Sequence, residues 1–168
     1  MPGCEIEAAI GVGYSGLDIY GSHTLDCYQT LVERRKNAER GVEWVQCLKG
    51  DAMWKAVDKL VDADMLKALL GVLPTSKKFK LRGKGKENAS LFLFKYKDGF
   101  MGKVLMLPRY AGGIGACLKI KGRKEPAAIR FEERFPLTPH FAYLLKGAER
   151  MFHTGKPSYP VERVLLTT

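Results

Sequence analysis

With 168 residues, 46% of them hydrophobic, the chain is long enough to bury one substantial core and too short for two full domains. No apolar run reaches bilayer-spanning length, the N-terminal MPGCEIEAAI has no cationic lead into an apolar stretch, and the four cysteines form no C-x-x-C pair. These features exclude a membrane-spanning or disulfide-stapled protein and predict a single cytoplasmic unit with reduced thiols. The formal charge of +10 raises the question of a nucleic-acid or acidic-membrane partner.

Near the N-terminus, Gly11, Gly13 and Gly16 spell G-x-G-x-x-G just after the apolar Ala8-Ala9-Ile10. A dinucleotide fingerprint needs a helix opening on its last glycine, an apolar second strand and an acid about twenty residues on for the ribose. Here Gly21 is expected to delay the helix, and Glu33, at the right distance, falls among cations, so the spacing reads as coincidence. The predicted helix runs from Ser22 as N-cap to Lys36. Asp26 lies in its first turn, Leu25, Tyr28, Leu31 and Val32 form its apolar stripe, and Arg34, Arg35 and Lys36 complement the dipole in its last turn.

His23 is the candidate for chemistry in this stretch. The helix N-terminus disfavours its imidazolium form and Asp26 favours it; a neutral imidazole there would act as a general base or bind a substrate hydroxyl. Cys27 on the same face would complete half a metal site, but further ligands at recognisable spacing are missing. Unsupported by other residues, a lone histidine reads as a surface or structural group.

The segment Val42 to Leu48 reads as a strand, followed by a helix capped at Asp51 with Met53, Trp54, Val57, Leu60 and Val61 on one face. A second helical run after Asp62 or Asp64 carries Met65, Leu66, Leu69 and Leu70 and stops before Gly71 and Pro74. The densest basic stretch follows, KKFKLRGKGK at Lys77 to Lys86, with six cations and no acid. A base-stacking surface would interleave aromatics with those cations, and Phe79 stands alone, so a solvated loop accounts for it and nucleic acid is the lesser reading.

From Ala89 the period changes. Two apolar runs around Asp98-Gly99 give the strongest hairpin signal in the chain. Their centres, Leu91 to Phe94 and Val104 to Leu107, are apolar on both faces, so the hairpin is expected to be covered twice, once by its own helices and once by a partner chain or another domain. Strands follow at Ala116 to Lys121, after the Gly112-Gly113-Ile114-Gly115 turn, and at Ala128 to Arg134. Thr138 and Pro139 then open a helix whose buried stripe is expected to be Phe141, Leu144, Leu145, Ala148 and Phe152, ended by Gly155. A last helix is predicted behind Pro160, over Val161 to Leu166. His140 and His153, at the two ends of the preceding helix, are too far apart to share a ligand.

Four strings together resemble the C-terminal domain of the glucose-fructose oxidoreductase, inositol dehydrogenase and MocA family. They are YGSHTLDCYQTLVERR at Tyr20 to Arg35, VQCLKGDAMWKA at Val45 to Ala56, FKYKDGFMGKVLML at Phe94 to Leu107, and PHFAYLLKGAERMFHTGKPSYPVERVLLTT at Pro139 to Thr168. The resemblance covers nearly all of residues 1–168 as one substrate and oligomerisation domain. It implies an α+β fold, an open-faced, mainly antiparallel sheet with helices on one face, the other face serving homo-oligomer contacts.

The family motif resembles G-x-H-x-x-D, matched by Gly21, His23 and Asp26, with an acid four residues before the histidine. Here that place holds Ile19, and Asp18 stands one residue further off. The resemblance implies His23 and Asp18 as catalytic groups, Tyr20 and Asp26 as substrate-binding groups, and a sugar or cyclitol as substrate. NAD or NADP would serve the complete enzyme from a Rossmann domain or partner chain lacking here, whose lysine motif Lys124-Glu125-Pro126 does not replace; no cofactor-binding or metal-binding residue is assigned in this chain. The other readings are a non-catalytic interaction domain and, behind it, a basic nucleic-acid-binding protein.

Overall fold

The computed structural model describes residues 3–38, 40–82, 88–132, 139–160 and 162. They fall into two compact units, Met1–Phe131 and Glu132–Thr168.

The first unit is built on one six-stranded sheet. In chain order its elements are β1 (Ile6–Gly13), α1 (Leu17–Val32), β2 (Val42–Lys49), α2 (Gly50–Leu60), α3 (Ala63–Val72), β3 (Ser90–Tyr96), β4 (Met101–Met106), β5 (Ile114–Ile120) and β6 (Ala127–Phe131). The strand order is β2-β3-β4-β1-β5-β6, and every neighbouring pair is antiparallel except β1 with β4. The fold is therefore α+β with a mixed, mostly antiparallel open sheet, as expected. Because β2 and β4 both run antiparallel to β3, the strands β1, β2 and β4 share one direction and end on the same side.

Side chains of a strand alternate between faces, and here each face has its own core. Ala9, Tyr28, Val32, Phe94, Tyr96, Val104 and Leu118 form one, under α1. Ile10, Val12, Leu91, Leu93, Leu105 and Leu107 join Met53, Val57, Met65 and Leu69 in the other, under α2 and α3. Helices thus cover both faces, where the resemblance leads to helices on one. The doubly apolar hairpin of β3 and β4 is buried on both sides by this chain's own helices, which corrects the expectation that a partner chain or another domain supplies its second cover. The edge strand β2 keeps apolar surface exposed, Val45 at 64% and Trp44 at 38%.

The helix α1 also departs from its expected bounds. It opens at Leu17, straight after Ser15 in the left-handed region at φ 65° and an extended Gly16 as N-cap, and it ends at Val32. Gly21 does not delay it. A glycine costs about 1 kcal/mol relative to alanine inside a helix, a penalty that burial of Thr24, Tyr28 and Val32 against the sheet outweighs. Arg34, Arg35 and Lys36 lie beyond the last turn, and Arg35 folds back into the protein with only 4% of its side chain exposed.

Other boundaries hold closely. Asp62 N-caps α3, its carboxylate accepting from the backbone N–H of Asp64 at 2.9 Å and of Met65 at 3.1 Å. Asp51 lies in the first turn of α2 rather than at its cap, which is Lys49. The β3–β4 turn places Gly99 at φ 87°, and the Asp98 carboxylate accepts from the Phe100 N–H at 3.1 Å. β5 begins two residues earlier than expected and takes in Gly115, where an added Cβ would stand 2.8 Å from the Ile129 carbonyl oxygen and 2.9 Å from Leu69.

In the second unit, α4 (His140–Thr154) ends at Gly155, whose φ of 63° and N–H to the Met151 carbonyl at 2.9 Å form a left-handed cap. Ser158 donates to the Gly147 carbonyl at 2.8 Å, tying the following segment to the helix, but the large side chains of the apolar stripe expected to be buried are exposed, from 54% at Phe141 to 82% at Phe152. The expected cap at Thr138 and the helix expected over 161–166 lie outside the described residues, apart from a helical Glu162.

Candidate functional site

The parallel pairing of β1 and β4 brings their two carboxyl ends together. Gly13 is in register with Met106, and its carbonyl accepts from the Leu107 N–H at 2.9 Å. From β1 the chain turns through Tyr14, Ser15 and Gly16 into α1; from β4 it turns through Pro108 and Arg109, the latter also left-handed at φ 64°. Between these two turns lies a cleft of about 680 Å³. Tyr14 to Asp18 and Tyr20 line it on one side and Pro108, Arg109 and Ala111 on the other, with Lys49 from the end of β2 and Asn88 from the approach to β3. Ligands in open α/β sheets bind in the crevice outside the strand carboxyl ends, and this cleft occupies that place for β1, β2 and β4.

Of the four residues singled out in the sequence, Asp18 and Tyr20 line the cleft together. The Tyr20 ring is 4.4 Å from that of Tyr14 and meets the His23 ring edge-on at 6.1 Å. Tyr14, Tyr20 and His23 therefore make a row of rings that starts in the cleft and runs up the exposed side of α1. His23 is exposed and one turn beyond the cleft lining; Asp26 is exposed a further turn on, its backbone carbonyl accepting from the Thr30 hydroxyl at 2.8 Å.

The glycines of the G-x-G-x-x-G string can be tested for a dinucleotide. The helix does open on Gly16, so that objection from the sequence falls away. The space beside the other two glycines is nevertheless taken by the protein itself. A Cβ on Gly13 would stand 2.2 Å from the Thr24 hydroxyl oxygen and 2.8 Å from the Met106 sulfur, and one on Gly11 would stand 3.0 Å from the Tyr28 ring. These two glycines let α1 pack close on β1. β2, the strand after α1, is separated from β1 by β3 and β4, and the strand that does lie parallel beside β1, β4, ends in Met106-Leu107-Pro108-Arg109 with no acid for a ribose. The G-x-G-x-x-G string therefore lacks the strand neighbour that the fingerprint needs.

Elsewhere, a depression of about 610 Å³ lies between the start of α3 and the β5–β6 connection, lined by Asp62, Asp64, Lys67, Lys119, Lys124 and Glu125. Nearby, burial lowers the Lys103 ammonium pKa against the pull of Asp62, and burial pushes the Cys117 thiol up to about 11. Among the described residues no three His, Cys, Asp or Glu side chains gather to hold a metal, and no helix is long and apolar enough to cross a membrane.

Sequence reasoning missed Tyr14, Lys49, Asn88 and Arg109. The last three come from distant segments that only the strand order brings to one place. Tyr14 lies inside the glycine string, where attention to the glycines hid it. Comparison with protein-family models finds no match, and comparison with curated proteins finds none either.

Proposed function

We propose that this chain is the substrate-binding half of an oxidoreductase that acts on a hydroxyl of a sugar or cyclitol, of the glucose-fructose oxidoreductase, inositol dehydrogenase and MocA type. The observation that carries the reading is the meeting of Asp18 and Tyr20, with Tyr14 beside them, in a cleft at the carboxyl ends of three co-directional strands. A carboxylate that accepts from hydroxyl groups next to apolar ring faces matches the two-sided surface of a polyol. NAD or NADP belongs, in this reading, to a Rossmann domain or partner chain outside the present sequence.

When a hydroxyl-bearing carbon is oxidised to a carbonyl, the O–H proton and the carbon-bound hydride leave to separate acceptors. The residues of this chain serve the proton. Asp18 and Tyr20 hold and orient the polyol, and His23, against the edge of Tyr20, takes the hydroxyl proton as general base. The four cysteines, scattered and without a C-x-x-C pair, favour the cytoplasm as the working compartment.

The test is turnover of the polyol by the protein joined to its cofactor-holding domain. His23→Ala is expected to lower kcat by about 10²- to 10⁴-fold with the fold intact, and Asp18→Asn to raise KM. Wild-type kcat in His23→Ala would remove the histidine from the reaction.

A further inference from the structure

The cleft has a second side that the polyol reading leaves without a role. Opposite Asp18 and Tyr20 it is lined by Lys49, the last residue of β2, and by Arg109, in the turn after β4. Two cations against one carboxylate make the lining net positive. Among the described residues neither cation has a carboxylate within ion-pair distance, whereas Arg35, Arg82, Lys95 and Lys121 all do. The Arg109 guanidinium stands 5.9 Å from the centre of the Phe79 ring, which belongs to the segment carrying Lys77, Lys78 and Lys80. That segment is held against the Arg109 turn by the Ser76 N–H to the Tyr110 carbonyl at 2.9 Å and the Gly112 N–H to the Pro74 carbonyl at 2.8 Å. Part of the basic run thus lies beside the Arg109 turn.

We infer that Lys49 and Arg109 form an anion subsite in this cleft, so that the substrate is an acidic polyol, its carboxylate or phosphate on these two cations and its hydroxyls towards Asp18 and Tyr20. The inference rests on the polyol reading and narrows its substrate class. A planar guanidinium and a mobile ammonium that approach from different elements suit an oxyanion, since charge-assisted hydrogen bonds from both shorten and strengthen on it. Asp18 fixes the orientation, because an acid group placed on its side would meet a like charge. The pairing of one repelling and two attracting groups selects both the class of ligand and its direction in the cleft.

Calorimetric titration of the 168-residue chain tests this with five probes: glucose, myo-inositol, glucuronate, inositol 1-phosphate and inorganic phosphate. Glucuronate or inositol 1-phosphate is expected to bind at least about tenfold tighter than its neutral counterpart, and which of the two wins distinguishes carboxylate from phosphate. The preference should vanish in Lys49→Gln and in Arg109→Gln while their thermal unfolding stays that of the wild type. Neutral probes that bind as tightly as the acids, or a preference that survives in both variants, would overturn the anion subsite and leave the polyol reading standing. Acids that bind no tighter than inorganic phosphate, yet depend on Lys49 and Arg109, would uphold the subsite and remove the polyol reading. If no probe binds, both are overturned.

Discussion

The Arg35 guanidinium donates to the Asp98 carboxylate at 2.6 Å while lying over the rings of Tyr96 and Phe100, 4.5 Å from the centre of each. A second guanidinium nitrogen donates to the Val32 carbonyl at 2.8 Å, so this one side chain closes the end of α1 and pins it to the β3–β4 turn. Burial disfavours the charge on Asp98, but the Phe100 N–H and Arg35 together outweigh it and hold the carboxyl below its ordinary range. Asp98→Ala, which strands a buried guanidinium, is expected to lower the stability of the first unit by about 1.5–3 kcal/mol. Urea unfolding followed by tryptophan fluorescence reads this directly, because both tryptophans, Trp44 and Trp54, lie in that unit.

The same pair sets a pH dependence. A carboxyl whose pKa is lower in the folded state contributes stability above its unfolded pKa and loses it as pH falls through the folded value. The Asp98 contribution is therefore full at neutral pH, begins to fall as the pH nears the ordinary carboxyl value of about 4, and is gone once the pH is below the lowered folded value. Asp98→Asn should lack that part of the acid loss; an acid limb identical to that of the wild type would mean that Asp98 contributes none of it.

The Gly13 position makes a steric prediction. A Cβ there meets Thr24 and Met106 at distances real atoms do not tolerate. Gly13→Ala should cost about 1–3 kcal/mol by overpacking. Thr24→Ala, which removes both close Thr24 atoms and leaves only the flexible Met106 thioether, should recover part of that loss in the double variant. Failure of any recovery would place the strain in the strand backbone.

The cysteines should separate by reactivity. Cys47 is exposed on edge strand β2, while Cys117 is buried in the core with its thiol pushed up to about 11. At pH 8 a disulfide-exchange reagent is expected to modify Cys47 quickly and Cys117 only on unfolding. Peptide mapping after a brief exposure shows which thiol has reacted.

Much of the fold could be read from local patterns. The Asp98-Gly99 hairpin, the Asp62 cap and the stripe of α3 are each written in a few adjacent residues, and each appears where expected. The start of α1 was misplaced because Gly21 looks like a helix breaker, and only the sheet beneath it shows why the helix survives. Arg35 looked like a solvated helix-end cation because its partners, Tyr96, Asp98 and Phe100, are some sixty residues away. The cleft divides in the same manner. Asp18 and Tyr20 are close in sequence and stood out, whereas Lys49 and Arg109 reach it only through the strand order β2-β3-β4-β1.

The central claim is that the cleft beside the start of α1 holds a polyol, and mapping of backbone amide shifts by NMR during titration with the neutral and acidic sugars and cyclitols tests it most directly. The account predicts saturable shifts confined to Tyr14 through Tyr20, Lys49 and Arg109, and their loss in Tyr20→Ala. Shifts that leave these residues unmoved, or that persist unchanged in Tyr20→Ala, would contradict it.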